Sequence, residues 1–589
     1  MDETPSFSIL FSNMQLQDHI GELGQKIIQN WLLGLKKTNP ALLHMFRDKN
    51  TSPYRRLLPW SGEFVGKYLT GCASLYRLLE DQKLKCECLE VIEELLSYQE
   101  ANGYLGPFPK EYELTGRSPL PAFLDDKDPN ASTDTWDAWG HYHIMTGLLA
   151  WYDITGQETL MDCVKRIAEL FLHTFYGEND RRLIDIGWAE MNLAPYHMFV
   201  QLYNRTGEEK YLSFAREIQA DCAEERAGNY LEYAQKGLPF YQCPKPRWES
   251  LHVIMGFAEM AKALDQPAYL EAAKQIFYSI LSTDVHNTGG FSTAEQAVGN
   301  PYGFDAIETC CVVAYNAFAL QLYQKTGAHK IVDFLEHSLY NAVAGSFSKS
   351  GRWSTYNTPM EGFRRANFHD ISFQCRPGSP ELNCCSVNAP RAIGMLIDWA
   401  YVEQENSLLL NYYGRARFKT AHGDDIEIEG DYPFSDKVRI RAKMKNGKKL
   451  RLRIPGFASD ITLSDPAHFI KKDWYWESDG SELLSVTLSI PLHFRIQKGE
   501  GDCKGRYCIF RGPILLGYDS GENPSLSIEE IPPLSLALLE TAIVEKKEEG
   551  KLEVSLSIGT KGIKLHDFYS LGQSGNWYTT WLYENTPIL

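Results

Sequence analysis

The feature that most limits what this chain can fold into is a helical-hairpin repeat running through its first two thirds. Four segments share an apolar helix end, a short polar turn and a second amphipathic helix: LLAWYDITGQETLMDCVKRIAELF, MFVQLYNRTGEEKYLSFAREIQA, FAEMAKALDQPAYLEAAKQIFYSI and FALQLYQKTGAHKIVDFLEHSLYNAV. Their turns centre on Thr155-Gly156, Thr206-Gly207, Asp265-Gln266 and Thr326-Gly327, and an earlier relative turns at Asp81-Gln82. The period of roughly 50 to 60 residues is that of a repeat array, each unit a hairpin that cannot bury its apolar face alone. Five or six hairpins with long, irregular insertions predict a closed (α/α)6 barrel, with an open helical solenoid as the alternative.

Near residue 405 the period changes from helical to alternating. DIEIEGDYP, KVRIRAKM, KKLRLRIPG, ELLSVTLSIPLHFRI and GRYCIFRGPILLGY read as strands between Gly, Asp and Pro breaks. Helices followed by strands predict a multidomain α + β protein, with a barrel over 1–404 and one or two β-sandwiches over 405–589. A chain of 589 residues can bury more than one core.

A net charge of −17 argues against nucleic acid and anionic membranes as partners. Neither an export signal nor a stretch of eighteen apolar residues is legible, so the chain is expected in the cytoplasm. Thirteen cysteines, an odd number, then read as thiols and not as a disulfide framework.

Two cysteine clusters stand out, Glu308-Thr309-Cys310-Cys311 and Asn383-Cys384-Cys385. Neither has the C-x-x-C spacing of a zinc ribbon. One glutamate and three thiolates would nonetheless make a four-coordinate site suited to zinc. Asn383 and Pro390 predict the irregular backbone that would let adjacent cysteines clasp one ion. Buried thiols without a metal, and a purely structural zinc pinning a loop, are the competing readings.

ETC followed by NCC-x-x-N-x-x-R, with the preceding TGG segment, the LEHSLYNAV hairpin, LRIPGF and RGPILLGY, resembles glycoside hydrolase family 127, the β-L-arabinofuranosidases and their relatives. The resemblance spans most of the chain and implies a catalytic (α/α)6 barrel with β-sandwich domains. It also implies a retaining mechanism with Cys384 as nucleophile, and Glu308, Cys310, Cys384 and Cys385 as zinc ligands. Glu295 stands where the family has its general acid/base, with Glu63 as an alternative carboxylate that could instead pair with Arg55 or Arg56. The resemblance places His143, His252 and Glu336 at or near inner-helix positions facing the sugar, with Tyr356 a further sugar contact. Asn192 stands where arabinofuranosidases carry a histidine, which leaves the sugar more open than the reaction. The expected partner is an oligosaccharide or glycoside, and a homodimer stays open. The alternatives are a sugar epimerase or unsaturated-uronide hydrolase on the same barrel, and a non-catalytic carbohydrate-binding protein with structural zinc.

Overall fold

The computed structural model describes residues 11–54, 56–120, 131–292, 294–304, 307–366, 381–559 and 561–584. Among these residues, twelve longer helices form five hairpins and a sixth pair. They are α1 (His19–Ile27), α2 (Glu63–Leu79), α3 (Gln82–Leu96), α4 (Asp137–Thr155), α5 (Glu158–Phe175), α6 (Pro195–Thr206), α7 (Glu209–Cys222), α8 (Leu251–Ala263), α9 (Pro267–Thr283), α10 (Thr309–Thr326), α11 (His329–Ser338) and α12 (Cys384–Gly394). In the sixth pair α1 packs on α12 from the far end of the sequence. Helices α2, α4, α6, α8, α10 and α12 pack in that order, and α12 returns against α2. The ring is therefore closed, which is the barrel and not the solenoid.

Burial divides the two layers. Outer helix α5 buries one face, Leu160, Met161, Cys163, Val164, Ile167, Ala168, Phe171 and Phe175, and leaves the opposite face toward solvent. Inner helix α10 is buried continuously from Thr309 to Tyr323. A helix covered on every side has no reason to carry polar groups unless they face an enclosed space, and the inner helices carry Glu63, Lys67, Asp137, His143 and His252.

The repeated turns have one physical cause. Gly156, Gly207 and Gly327 follow the last residue of α4, α6 and α10 at φ of 67°, 69° and 65°, and their N–H groups bond the carbonyls of Tyr152, Tyr203 and Tyr323. A Cβ at Gly156 or Gly207 would meet nothing within 4 Å, so it is the left-handed conformation and not crowding that calls for glycine.

Strand β1 (Phe11–Leu16) is far from the other strands in sequence. Strands β2 (Ile307–Glu308) and β3 (Asn357–Thr358) form a small antiparallel pair beside the barrel mouth, and β4 (Glu361–Phe363) joins a large C-terminal sheet. The alternating region supplies β5 (Ala416–Thr420), β6 (Asp425–Gly430), β7 (Lys437–Lys443), β8 (Lys449–Arg453) and β9 (Leu483–Ser489). A six-stranded sheet runs β1-β5-β6-β7-β9 and ends on Thr462–Leu463. β7 shows the half-buried pattern plainly, with Val438, Ile440 and Ala442 inward. This sheet and a five-stranded one containing β8 share a continuous apolar core with the barrel. A nine-stranded sheet, running from Phe494 to Tyr583 and taking in β4, is built around a second core.

Candidate active site

Two helix N-termini meet inside the ring. Glu308 is the N-cap residue of α10, so Cys310 falls in its first turn. Asn383 caps α12: its side chain accepts the Ser386 N–H at 2.9 Å, and Ser386 Oγ accepts the Asn383 N–H at 3.1 Å. Cys384 and Cys385 thereby open α12. The expected irregular backbone is absent here. The helix is regular from its first residue, and Pro390 sits inside it. The carbonyl that Pro390 cannot serve, that of Ser386, accepts the Trp31 indole N–H at 2.7 Å instead.

The oxygen and sulfur ligand atoms of Glu308, Cys310, Cys384 and Cys385 all lie within 4.8 Å of one another, and all four residues are buried. Cys385 Sγ is 3.4 Å from Glu308 Oε1 and 3.5 Å from Cys310 Sγ; Cys384 Sγ is 3.8 Å from Cys385 Sγ and 4.0 Å from Glu308 Oε1. Cys310 and Cys385 are fully enclosed, whereas Cys384 keeps 5% exposure. Both helix N-termini favour negative charge on these groups. Burial pushes Glu308 and Cys385 up. Cys384 is raised chiefly by its hydrogen bond with Cys310. Burial opposes ionisation of Cys310 too, yet hydrogen bonds from Cys384 and Cys385, with Lys67 beside it, bring it well down. Cys311, the neighbour outside the cluster, approaches Glu308 Oε2 at 3.5 Å.

The pairing of β2 with β3 sets the next residue. Thr309 N donates to the Tyr356 carbonyl at 2.8 Å, and Tyr356 Oη lies 3.6 Å from Cys384 Sγ. On the far wall, His143 and His252 lie edge-on to Trp139, ring centroids 4.4 and 4.9 Å away. Tyr142 Oη reaches His252 Nδ1 at 2.9 Å and His197 Nδ1 at 3.0 Å. Burial holds His143 and His252 well below the usual histidine range, so both are neutral. His143 Nε2 is buried with no hydrogen-bond partner among the described residues.

Glu63 does not pair with Arg56. Its carboxylate bonds Lys67 at 2.8 Å, one turn along α2, and takes the Trp139 indole N–H. Lys67 Nζ lies 3.8 Å from Cys310 Sγ and over the Trp248 ring at 5.2 Å. Arg55 lies outside the described residues. Glu295, 36% exposed, pairs with Arg247 at 2.8 Å.

Two further candidates are placed elsewhere. Asn192 is fully buried, its amide bonded to the carbonyls of Thr135 and Ile186 at 2.8 and 2.5 Å, with its oxygen facing Trp139 N. Glu336 sits on α11, the outer member of its hairpin and not an inner helix. It faces the β-sheets, where Arg453 pairs with it at 2.5 Å and Tyr432 Oη donates to it at 2.7 Å. A helical period gives the buried stripe of α11 but not which neighbour that stripe meets.

Sequence reasoning missed Lys67, Trp139, Tyr142, Arg247 and Glu249. A Glu-x-x-x-Lys pair in the otherwise apolar α2 was the available signal for the first. Among the described residues a second convergence, of Glu522, Glu553 and His566, lies at the nine-stranded sheet. Its carboxylates are already met by Lys551 at 2.6 Å, Lys564 at 3.3 Å and Lys547 at 3.6 Å, so lysines supply the cations there.

Buried thiols, a carboxylate, neutral histidines and an indole thus converge on the inner face of a closed helical ring. The family model described as β-L-arabinofuranosidase, GH127 catalytic domain, matches residues 26–394. The chain belongs to glycoside hydrolase family 127 and is a glycoside hydrolase. It is 21% identical over 515 residues to a non-reducing end β-L-arabinofuranosidase of Bifidobacterium longum, covering 78% of this chain and 75% of that one. A solved GH127 β-arabinofuranosidase superposes with a TM-score of 0.74 at 19% identity, covering 97% of this chain and 96% of the other. A GH127 β-L-arabinofuranosidase of Geobacillus stearothermophilus superposes at 0.71 and 18% identity, covering 97% and 100%. Family membership displaces the epimerase, uronide-hydrolase and non-catalytic alternatives. Among the described residues no helix is long and apolar enough to cross a membrane.

Proposed function

We propose that this enzyme is a retaining exo-glycosidase that releases a terminal β-L-arabinofuranosyl or closely related unit from oligosaccharides, with Cys384 as nucleophile and Glu295 as general acid/base. The observation that carries the reading is the convergence of Glu308, Cys310, Cys384 and Cys385 at two helix N-termini, with Cys384 the least enclosed of the four. Three thiols and one carboxylate, buried and mutually within 4.8 Å, form a donor set that fits zinc. Zinc, when bound by these four residues, holds the thiols deprotonated.

The chain's own residues account for the steps. The Cys384 sulfur attacks the anomeric carbon as the glycosidic C–O bond breaks, and Glu295 gives its proton to the leaving oxygen. The product of this half is a thioglycosyl bond to Cys384. Glu295, now a carboxylate, takes a proton from water, whose oxygen attacks the same carbon and releases the Cys384 thiolate. Two inversions give retention. Neutral His143 and His252 can each donate or accept a hydrogen bond to a sugar hydroxyl, and Tyr356 beside Cys384 bounds the pocket.

The reading is tested by metal analysis joined to intact mass after incubation with a mechanism-based arabinofuranoside inhibitor. One zinc per chain and a mass gain mapped to Cys384 are expected. A metal-free active enzyme, or an adduct on another residue, would overturn it.

A further inference from the structure

The segments that lead into α4, α6 and α8 enclose a cavity of about 510 Å³. Its aromatic and charged wall is Asp134 before α4, Asp185, Trp188 and Glu190 before α6, and Arg226 and Lys245 between α7 and α8. Each outer helix returns the chain, so the inner helices run in one direction and begin at one end of the ring. The cavity therefore lies at the end where α10 and α12 begin with Cys310 and Cys384. Two ties join it to the cleft. Asn192 N donates to the Trp188 carbonyl at 2.9 Å, and its side chain bonds Thr135 and Ile186 and accepts the Trp139 N–H at 3.4 Å. Trp139 is the wall on which His143 and His252 lie. Lys245, for its part, stands two residues before Arg247, which pairs with Glu249 and Glu295 at 2.8 Å each. Ala297 N donates to the Pro246 carbonyl at 2.8 Å, so the two segments are joined through the backbone as well. The cavity flanks the cleft on the side where Glu295 stands.

The wall has a chemistry of its own. Trp188 is 44% exposed, a large apolar ring shown to water among charged neighbours. Two of the acids are met directly, Asp134 by Arg117 at 2.5 Å and Asp185 by Arg226 at 2.9 Å. Glu190 is not. It is only 2% exposed, its Oε2 accepts no hydrogen bond among the described residues, and Lys245 Nζ stops 3.6 Å short of it. A buried carboxylate oxygen left without a donor is costly, and a hydroxyl beside both groups can donate to the one and accept from the other. Acids and bases in near balance select neither a polyanion nor a cation. An aromatic face for C–H groups, with donors and acceptors around it, is what a neutral sugar ring needs.

We propose that this cavity is a leaving-group subsite, taking a neutral sugar of the oligosaccharide beyond the scissile bond: the Trp188 indole carries one face of the ring, and Glu190 with Lys245 takes its hydroxyls. This rests on the reading of the cleft as the place where a terminal unit is cut from an oligosaccharide, with Glu295 protonating the leaving oxygen. That oxygen belongs to the part of the substrate that departs, so the departing part lies on the Glu295 side, which the cavity flanks. A sugar held there adds binding remote from the reacting atoms, and the enzyme thereby prefers a longer glycoside to a short one.

The test compares wild type, Trp188→Ala, Trp188→Phe and Glu190→Gln on two substrates. One is methyl β-L-arabinofuranoside, whose leaving group is too small to fill the cavity, and the other is a trisaccharide of β-linked L-arabinofuranose. The readout is kcat/KM for the trisaccharide divided by kcat/KM for the methyl glycoside. Trp188→Ala should lower this ratio by about tenfold, and Trp188→Phe, which keeps an aromatic face, should bring it back to within about threefold of wild type. Glu190→Gln should lower it by about tenfold too, because a carboxamide is the weaker acceptor for a hydroxyl. A role in packing alone would lower both substrates together and leave the ratio where it was. A ratio within about twofold of wild type in Trp188→Ala, or in a folded Glu190→Gln, would overturn the inference. If Glu190→Gln fails to fold, as its thermal midpoint will report, Trp188→Ala alone decides. A wild type that cleaves neither substrate would overturn the exo-glycosidase reading together with this one. Cleavage of both with an unmoved ratio in the variants overturns the subsite alone.

Discussion

The N-termini of α10 and α12, and the seam between α11 and the β-sheets, both bury carboxylates, and they treat them in opposite ways. At the seam every charge is answered. Glu336 meets Arg453 and Tyr432, Asp333 meets Arg453 at 2.7 Å and the Gly456 N–H at 3.1 Å, and Arg453 Nε donates to the Asn411 carbonyl at 2.9 Å. At the barrel mouth Glu308 faces Cys384, Cys385 and Cys311, groups that want the same thing it does. Burial of charge is thus no signature of function by itself. Convergence of like groups, with no cation among the described residues placed directly on the carboxylate, is what separates the site from the seam.

That contrast can be broken from either side. The largest effect is expected from Cys384→Ser, which should lower kcat by at least about 10⁴-fold while the chain still folds cooperatively. Steady-state kinetics with a thermal scan decides it, and activity within tenfold of wild type would remove Cys384 from the chemistry. Arg453→Met should do the reverse. It strands Glu336 in the interior and lowers stability by about 3–5 kcal/mol in urea unfolding, while kcat of the folded enzyme stays near wild type.

Removing metal with a strong chelator should abolish activity and lower stability by about 2.7 kcal/mol relative to protein in zinc at a hundred times its dissociation constant. Zinc added back should restore both. A chelated protein that keeps its activity would return the cluster to plain buried thiols. His252→Ala should reduce kcat/KM by about tenfold through a lost hydrogen bond. Glu336→Gln, by contrast, should leave kcat/KM unmoved, and an equal loss in both would erase the distinction between cleft and seam.

The smallest effect concerns acid. Burial depresses His197, beneath Tyr142 in the cleft, and His337, at the seam, each to about 4. Because the folded values lie below the unfolded one near 6.5, their contribution to stability is complete above pH 6.5. It is lost as pH falls toward 4, on the order of 3 kcal/mol each. Urea midpoints measured across that interval should fall, and the fall should be shallower in His197→Gln. An unaltered slope in that variant would show that other groups set the acid limb.

Much of this molecule is legible in its amino-acid order alone. Thr-Gly turns at Gly156, Gly207 and Gly327 announce helix ends, because a left-handed residue there is a local demand that the sequence must meet locally. The alternation in KVRIRAKM announces β7. The two cysteine clusters announce each other through their chemistry. The Lys67–Glu63 pair, the wall of Trp139, Tyr142 and His252, and the Arg247 clamp on Glu249 and Glu295 are not legible as sites. Lys67 and Glu63 lie one turn apart on α2, but what they face, like the partners within the wall and across the clamp, comes from other segments that only closure of the ring brings together. The expectation for Glu336 fails for the same reason, since a helix's apolar stripe does not say whether it meets the barrel axis or a sheet.

By itself, then, the sequence determined the hairpins, the strands and the two thiol- and carboxylate-bearing clusters, because periodicity, capping and donor type act over a few residues. Tertiary structure alone decided that α12 returns to α2, so that Cys384 meets Glu308 and β1 joins a sheet otherwise built from residues beyond 415. Contacts over such separations depend on how large apolar surfaces fit together, and no local pattern carries that information.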